Sequence, residues 1–253
     1  MSLGLNYGVL RGEDLNWDLN LNGAYNVNKI TDLGRQAEGF IGYQTGGIGG
    51  GTGNTIQINA VGQPTNAFFV RQQVYGPDGR PVQGLYVDRN GNGAADALSD
   101  NYYYKQPAPL VTLGLSSNVT YQKLAFAFTL RGNVGNYVYN ANAANLGTYA
   151  NAQGSTNFVS NLNPDILNTG FNRPQIFSDY YVQNASFLRA ENISLGYNVG
   201  KVLGASTLRV TGNVQNAFLI TKYDGIDPEI ASGIDTNFYP RARTYTLGLA
   251  LGF

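Results

Sequence analysis

Residues 243–253, Arg-Thr-Tyr-Thr-Leu-Gly-Leu-Ala-Leu-Gly-Phe, alternate without a break. Arg243, Tyr245, Leu247, Leu249, Leu251 and Phe253 fall on one face, and Thr244, Thr246, Gly248, Ala250 and Gly252 on the other, which is the two-residue period of a strand. One face is broad and apolar, the other small and polar. The same pattern runs through residues 3 to 28. Leu3, Leu5, Tyr7 and Val9 alternate with small or polar residues up to the turn Arg11 to Asp14. After it Leu15, Trp17, Leu19, Leu21, Tyr25 and Val27 alternate with a ladder of Asn16, Asp18, Asn20, Asn22, Asn26 and Asn28. Residues 110 to 134 read as a hairpin in which Val111, Leu113, Leu115, Val119 and Tyr121 face the same way as Leu124, Phe126, Phe128 and Leu130, with Gln122 and Lys123 between the arms. Ser186 to Val199 and Thr207 to Leu219 make a further pair around the turn Gly200 to Ser206.

Long Gly- and Asn-rich stretches separate these units, at about 29–109, 135–185 and 220–242, and read as irregular loops. Within the first, Thr55 to Val61 and Ala67 to Tyr75 are candidates for two more strands around Gly62 to Thr65. Connections thus alternate short, long, short, long, as in an up-and-down barrel whose turns share one rim and whose long loops share the other. The expected fold is all-β: an antiparallel transmembrane β-barrel segment of about seven to nine strands with long extracellular loops. Both counts are odd where bacterial single-chain barrels are normally even, so the expectation is that this chain is part of a larger barrel.

Composition supports a barrel wall. Charged residues make up 13% of the 253-residue chain, against about 25% in ordinary soluble domains. Tyr (18) and Phe (12) far outnumber Met (1) and Trp (1), and Asn, Gly, Ser and Thr fill the polar face. Net charge is zero with no basic run, so nucleic acid is not expected as a partner. With no Cys and no His, disulfides, thiolate chemistry, Ser-His-Asp and Cys-His arrangements and His-zinc sites are excluded, and an enzyme is not expected. No apolar run reaches the ~20 residues of a spanning helix. The Met1 end has neither the basic nor the apolar region of a secretory signal, which an outer-membrane protein needs, so either an upstream part is expected or the outer-membrane reading fails.

Residues Thr246, Gly248, Leu251 and Phe253 match the pattern of a barrel-assembly signal, which the resemblance assigns to pairing with the insertion machinery. Wider resemblance rests on several stretches in order: Trp17 to Ile30 (WDLNLNGAYNVNKI), Gly84 to Gly93 (GLYVDRNGNG), Tyr104 to Pro109 (YKQPAP), Arg131 to Asn140 (RGNVGNYVYN), Ser186 to Tyr197 (SFLRAENISLGY), Asn213 to Phe218 (NVQNAF) and Tyr223 to Glu229 (YDGIDPE). Together these resemble the C-terminal part of SusC/RagA-type TonB-dependent outer-membrane transporters. That resemblance implies about 22 strands around a plugged lumen, of which this chain would supply about the last two fifths, with plug and N-terminal strands lying outside it. It further implies import of oligosaccharides or peptides, coupling to a TonB complex through the missing N-terminal part, a SusD-like surface lipoprotein as lid, and contacts with the remaining barrel strands and outer-membrane lipid. Two other readings stay open: a self-contained small outer-membrane barrel, and a soluble glycan-binding β-sandwich, in which the apolar faces would meet each other.

Candidate sites are few. Asp88, Asn90, Asn92 and Asp96 have the spacing of the first half of a calcium loop, with Gly93 at the turn, but Ser99 stands where the bidentate acid belongs. Without an ion the segment reads as Asx/Gly turns. Otherwise no cofactor is expected. Tyr102, Tyr103 and Tyr104 could stack on sugar rings or belong to an interfacial girdle. Arg189, Glu191 and Arg243 fall on apolar faces, where snorkelling to headgroups would accommodate them. Asp224, Asp227 and Glu229 form an acidic cluster that Gly225 and Pro228 place in a turn.

Overall fold

A computed structural model of the chain describes residues 1–95, 99–152, 161–202, 206–236 and 238–252. β1 (Ser2–Arg11) and β2 (Leu15–Tyr25) open the chain. Short strands follow: β3 (Tyr43–Gly47), β4 (Thr55–Asn59), β5 (Ala67–Arg71), β6 (Gln73–Tyr75), β7 (Pro81–Tyr86) and β8 (Asn101–Tyr103). β9 (Val111–Tyr121) and β10 (Leu124–Val134) lead into β11 (Tyr137–Asn140), the helices α1 (Ala141–Leu146), α2 (Tyr149–Ala152) and α3 (Ile166–Thr169), and β12 (Val182–Asn184). β13 (Phe187–Val202), β14 (Ser206–Thr221), β15 (Ile234–Asp235) and β16 (Thr244–Gly252) complete it.

The long strands form one seven-stranded antiparallel sheet in the order β1-β2-β9-β10-β13-β14-β16. Its faces can be followed strand by strand. One row of partners is Tyr7, Leu19, Ser117, Phe128, Ile193, Val214 and Tyr245; the next is Asn6, Asn20, Ser116, Thr129, Asn192, Gln215 and Thr244. Apolar and polar rows therefore run across every strand, not only along each. No second sheet covers the apolar side: Leu5, Leu21, Leu113, Phe126, Leu195, Tyr197, Leu247 and Leu249 are all exposed. A sandwich would bury them, so the soluble-sandwich reading fails. β1 and β16 each pair on one side only among the described residues, so the sheet does not close on itself as a small barrel would. It is a segment of a transmembrane barrel wall, with the asparagine-rich side toward the bore.

One small polar side chain lies in the apolar row among aliphatic and aromatic neighbours. Ser117, 2% exposed, accepts a hydrogen bond from Trp17 Nε1 at 3.0 Å, so neither polar group faces hydrocarbon unpaired.

The three long connections emerge at one rim and are not irregular. β3, β4, β5 and β8 form a four-stranded sheet, β6 and β7 a two-stranded one, and β12, β11 and β15 a three-stranded one. The candidate pair at 55–75 exists, but it belongs to this cap and adds nothing to the wall, which settles the wall count at seven among the described residues. Long connections carry many backbone donors and acceptors, and pairing them with one another satisfies those groups away from the wall. The main buried apolar cluster, which includes Ile56, Phe68, Val70, Tyr139, Phe171, Tyr181 and Ile234, is here and not in the wall. Barrel strands turn their apolar side to lipid, so the protein's core is in the cap.

Candidate functional site

A cleft of about 280 Å³ opens where the cap meets the wall's rim, and Pro64, Tyr103, Tyr104, Lys105, Leu110 and Tyr137 line it with Gln63 and Gln106. Alternation along β8 and into the residue after it sorts the three tyrosines. Tyr102 turns into the cap, where its hydroxyl donates to Asp179 Oδ2 at 2.6 Å and the Arg89 guanidinium lies 4.8 Å from its ring centre. Tyr103 turns the other way, packs on Phe69 at 5.3 Å between ring centres, and donates to the Ile41 carbonyl. Tyr104 leans on Tyr102 at 5.4 Å. Burial and the Asp179 hydrogen bond push the Tyr102 hydroxyl's pKa up; burial, then Asp179 and Tyr137, raise that of Tyr104. Both remain neutral donors at physiological pH.

Lys105 Nζ sits 5.2 Å from the ring centres of both Tyr104 and Tyr137. Among the described residues no carboxylate pairs with it. The rim side is closed by Leu110 and Gly135, whose φ of +80° strains any other residue and whose added Cβ would press on Leu110 Cδ1 at 3.0 Å. Of the three tyrosines marked from sequence, the structure thus brings Tyr103 and Tyr104 to one cleft and takes Tyr102 out of it. Lys105 and Tyr137 were not marked. Tyr137 is remote in sequence, and at the cleft its N–H bonds the Gln106 carbonyl.

A second constellation lies on the bore side. Arg131 is clamped by Glu229 through Nη1–Oε1 and Nη2–Oε2, both 2.7 Å, and by Glu191 at 2.6 Å. Arg189 Nη2 donates to Asp227 Oδ1 at 2.7 Å, and Arg241 Nη2 reaches Glu229 Oε2 at 2.8 Å. Three cations and three carboxylates balance. The expected snorkelling of Arg189 and Glu191 is corrected here. Pairing runs from Thr129–Asn192 to Leu130–Ala190, so Glu191 is an extra residue, and β14 bulges opposite it, with Asn216 at φ +51°. The bulge reverses the alternation, turning Arg189 inward beside Arg131 and leaving Leu188 outward. Arg189 is consequently 1% exposed. Arg243 also has a local partner, since its Nε donates to the Asn216 carbonyl. The acidic turn is a fastening: Asp227 and Glu229 bind the connection from β14 to β16 onto the wall, while Asp224 accepts from Gln183.

In the Asp88 loop, Asp88 Oδ1 and Oδ2 accept the N–H groups of Gly91 and Gly93, Asn90 accepts from Asn92, and Asn92 from Ala94. Asp96 lies outside the described residues, and among those described no group of three or more His, Cys, Asp or Glu side chains is placed to hold a metal. On β16, Thr246 and Gly248 pair with Asn213 and Thr211 on the bore side, and Leu251 pairs with Leu208 on the apolar side; Phe253 lies outside the described residues. A Cβ at Gly248 would come within 2.6 Å of Thr211 Oγ1, which accounts for glycine there.

No family model matches the chain. The TonB-dependent receptor SusC of Bacteroides thetaiotaomicron is 40% identical over 100% of this chain and 26% of its own length. TonB-dependent receptor P3 of Formosa agariphila is 27% identical over 98% of the chain and 28% of its own. Among solved structures the RagAB peptide transporter superposes on 100% of the chain and 29% of the transporter chain, with a TM-score of 0.71 and 25% identity. The chain therefore spans about a quarter of the length of the curated relatives it matches. An unbroken match to SusC, the superposition on RagAB and a wall with one bare apolar face agree: the chain is a β-barrel segment of the SusC/RagA-type TonB-dependent receptors.

Proposed function

We propose that the chain is the wall-and-cap portion of an outer-membrane importer of oligosaccharides or peptides, driven through a TonB complex and closed from outside by a SusD-like lipoprotein seated on the cap. The observation that carries this is the match to SusC along the entire chain at 40% identity. A structured cap with its own core supports the partner, because a lid needs a firm surface to close on. In this reading the wall contributes no chemistry. It holds a polar bore, and the cap offers the cleft at Tyr103, Tyr104 and Tyr137 as a first contact for cargo.

Deletion of the full-length gene in its host tests the proposal. Growth on a panel of oligosaccharides and peptides as sole nutrient is expected to fail for at least one cargo class and return on complementation, and a surface lipoprotein is expected to co-purify with the tagged protein. Unchanged growth across the panel together with purification free of any lipoprotein would overturn it.

A further inference from the structure

The cap cleft also carries information about the charge of what it binds. We propose that it is a subsite for a uronic acid residue of an acidic oligosaccharide, with the sugar face on the tyrosine rings and the carboxylate on Lys105 Nζ. This rests on the importer reading and narrows its cargo. The cleft, about 280 Å³, is of a size to seat one pyranose ring. Tyr103, Tyr104 and Tyr137 supply ring faces of the kind on which a sugar stacks, and Gln63 and Gln106 supply amide groups at its margin.

Lys105 decides the charge. Arg131, Arg189 and Arg241 all have carboxylate partners, and Arg89 donates to Gln72 Oε1 at 2.9 Å. Lys105 is exposed, and its ammonium is held over two rings with no carboxylate partner among the described residues. A cation fixed in this way keeps donors free for an incoming anion. A neutral sugar would stack but leave that charge unanswered. The backbone argues against a peptide added as a strand, because Tyr104 N–H already donates to the Phe68 carbonyl at 2.9 Å and Phe68 N–H to the Lys105 carbonyl at 2.8 Å. The Tyr104 N–H and the Lys105 carbonyl are therefore not available to an extended peptide entering the cleft.

The test uses the full-length protein in detergent and titration calorimetry with two matched pairs: trigalacturonate against galactotriose, and terminally blocked Ala-Glu-Ala against Ala-Gln-Ala. Trigalacturonate is expected to bind about three- to tenfold more tightly than galactotriose at low salt, with the gap narrowing as salt rises. Lys105→Gln, an exposed substitution, should erase the gap, Lys105→Arg should keep it, and Tyr104→Ala should weaken both sugars. Equal binding of the two sugars, a gap that survives Lys105→Gln, preference confined to the acidic peptide, or no binding of either sugar would each overturn the proposal. Failure of the importer reading is separate and would be seen in the growth panel, whatever calorimetry reads.

Discussion

Arg189 has its charge where a barrel strand's outer face ought to be, if the strand is read as a regular period of two. Glu191, one extra residue, changes its environment from hydrocarbon to a neutralised cluster in the bore. Because Arg189 is 1% exposed, the carboxylate opposite it is a condition of its burial. Asp227→Asn is expected to destabilise the fastening by about 2–4 kcal/mol, the lower part of the range reflecting Glu229 as a second, more distant carboxylate. Trypsin should then cut the connection at Lys222 or Arg241 in the full-length protein faster than in wild type; unchanged digestion would refute the assignment. The sequence exposed the acids and arginines but not their pairing. A bulge is not a composition signal, and nothing in Ala190-Glu191-Asn192 announces it.

At the scale of elements, wall and cap differed in legibility for a physical reason. Nine or more alternating residues, as in β9, β10 and β16, give a period that no soluble loop imitates. The cap's strands run to two to six residues, and its core gathers Ile56, Phe68, Tyr139, Phe171, Tyr181 and Ile234 from points far apart in the chain. No window of sequence contains that core. The cap also has a titration signature. Burial raises the hydroxyls of Tyr139, Tyr181 and Tyr223 and pushes Tyr86 up to about 12. In an unfolded cap these groups would ionise near pH 10. Above that pH the unfolded state binds fewer protons than the folded one, so their contribution is intact below about pH 10 and is lost as pH rises toward the folded values. An alkaline titration followed at 295 nm should show a late, cooperative class of tyrosines coincident with loss of near-UV dichroism. Ionisation of all tyrosines in one step near pH 10, with the cap intact, would contradict their burial.

For the molecule as a whole, the decisive property is that side-chain character is matched across strands. Phe128 lies in the middle of an apolar row and Asn118 in a polar one, on adjacent strands. Phe128→Arg should cost about 2–4 kcal/mol of folding stability in a bilayer, and Asn118→Arg within about 0.5 kcal/mol of nothing. Folding titrations of the full-length protein into vesicles measure both, and equal costs would mean that the faces have been assigned wrongly. This two-sidedness was readable from the chain because hydrocarbon and water select different residues at every second position. Tyr103 and Tyr104 were readable only as aromatic residues awaiting a place, since their cleft depends on Gly135, Leu110 and Tyr137 arriving from other parts of the chain.

The paired kink at Glu191 and Asn216 has an evolutionary corollary. Along the regular stretches of these ribbons, gaining or losing a single codon would evert everything beyond it, so length should drift there in steps of two. At the kink an odd residue is already housed, as at Val9 and Val199, which makes it a place where a strand of this lineage can change parity and survive.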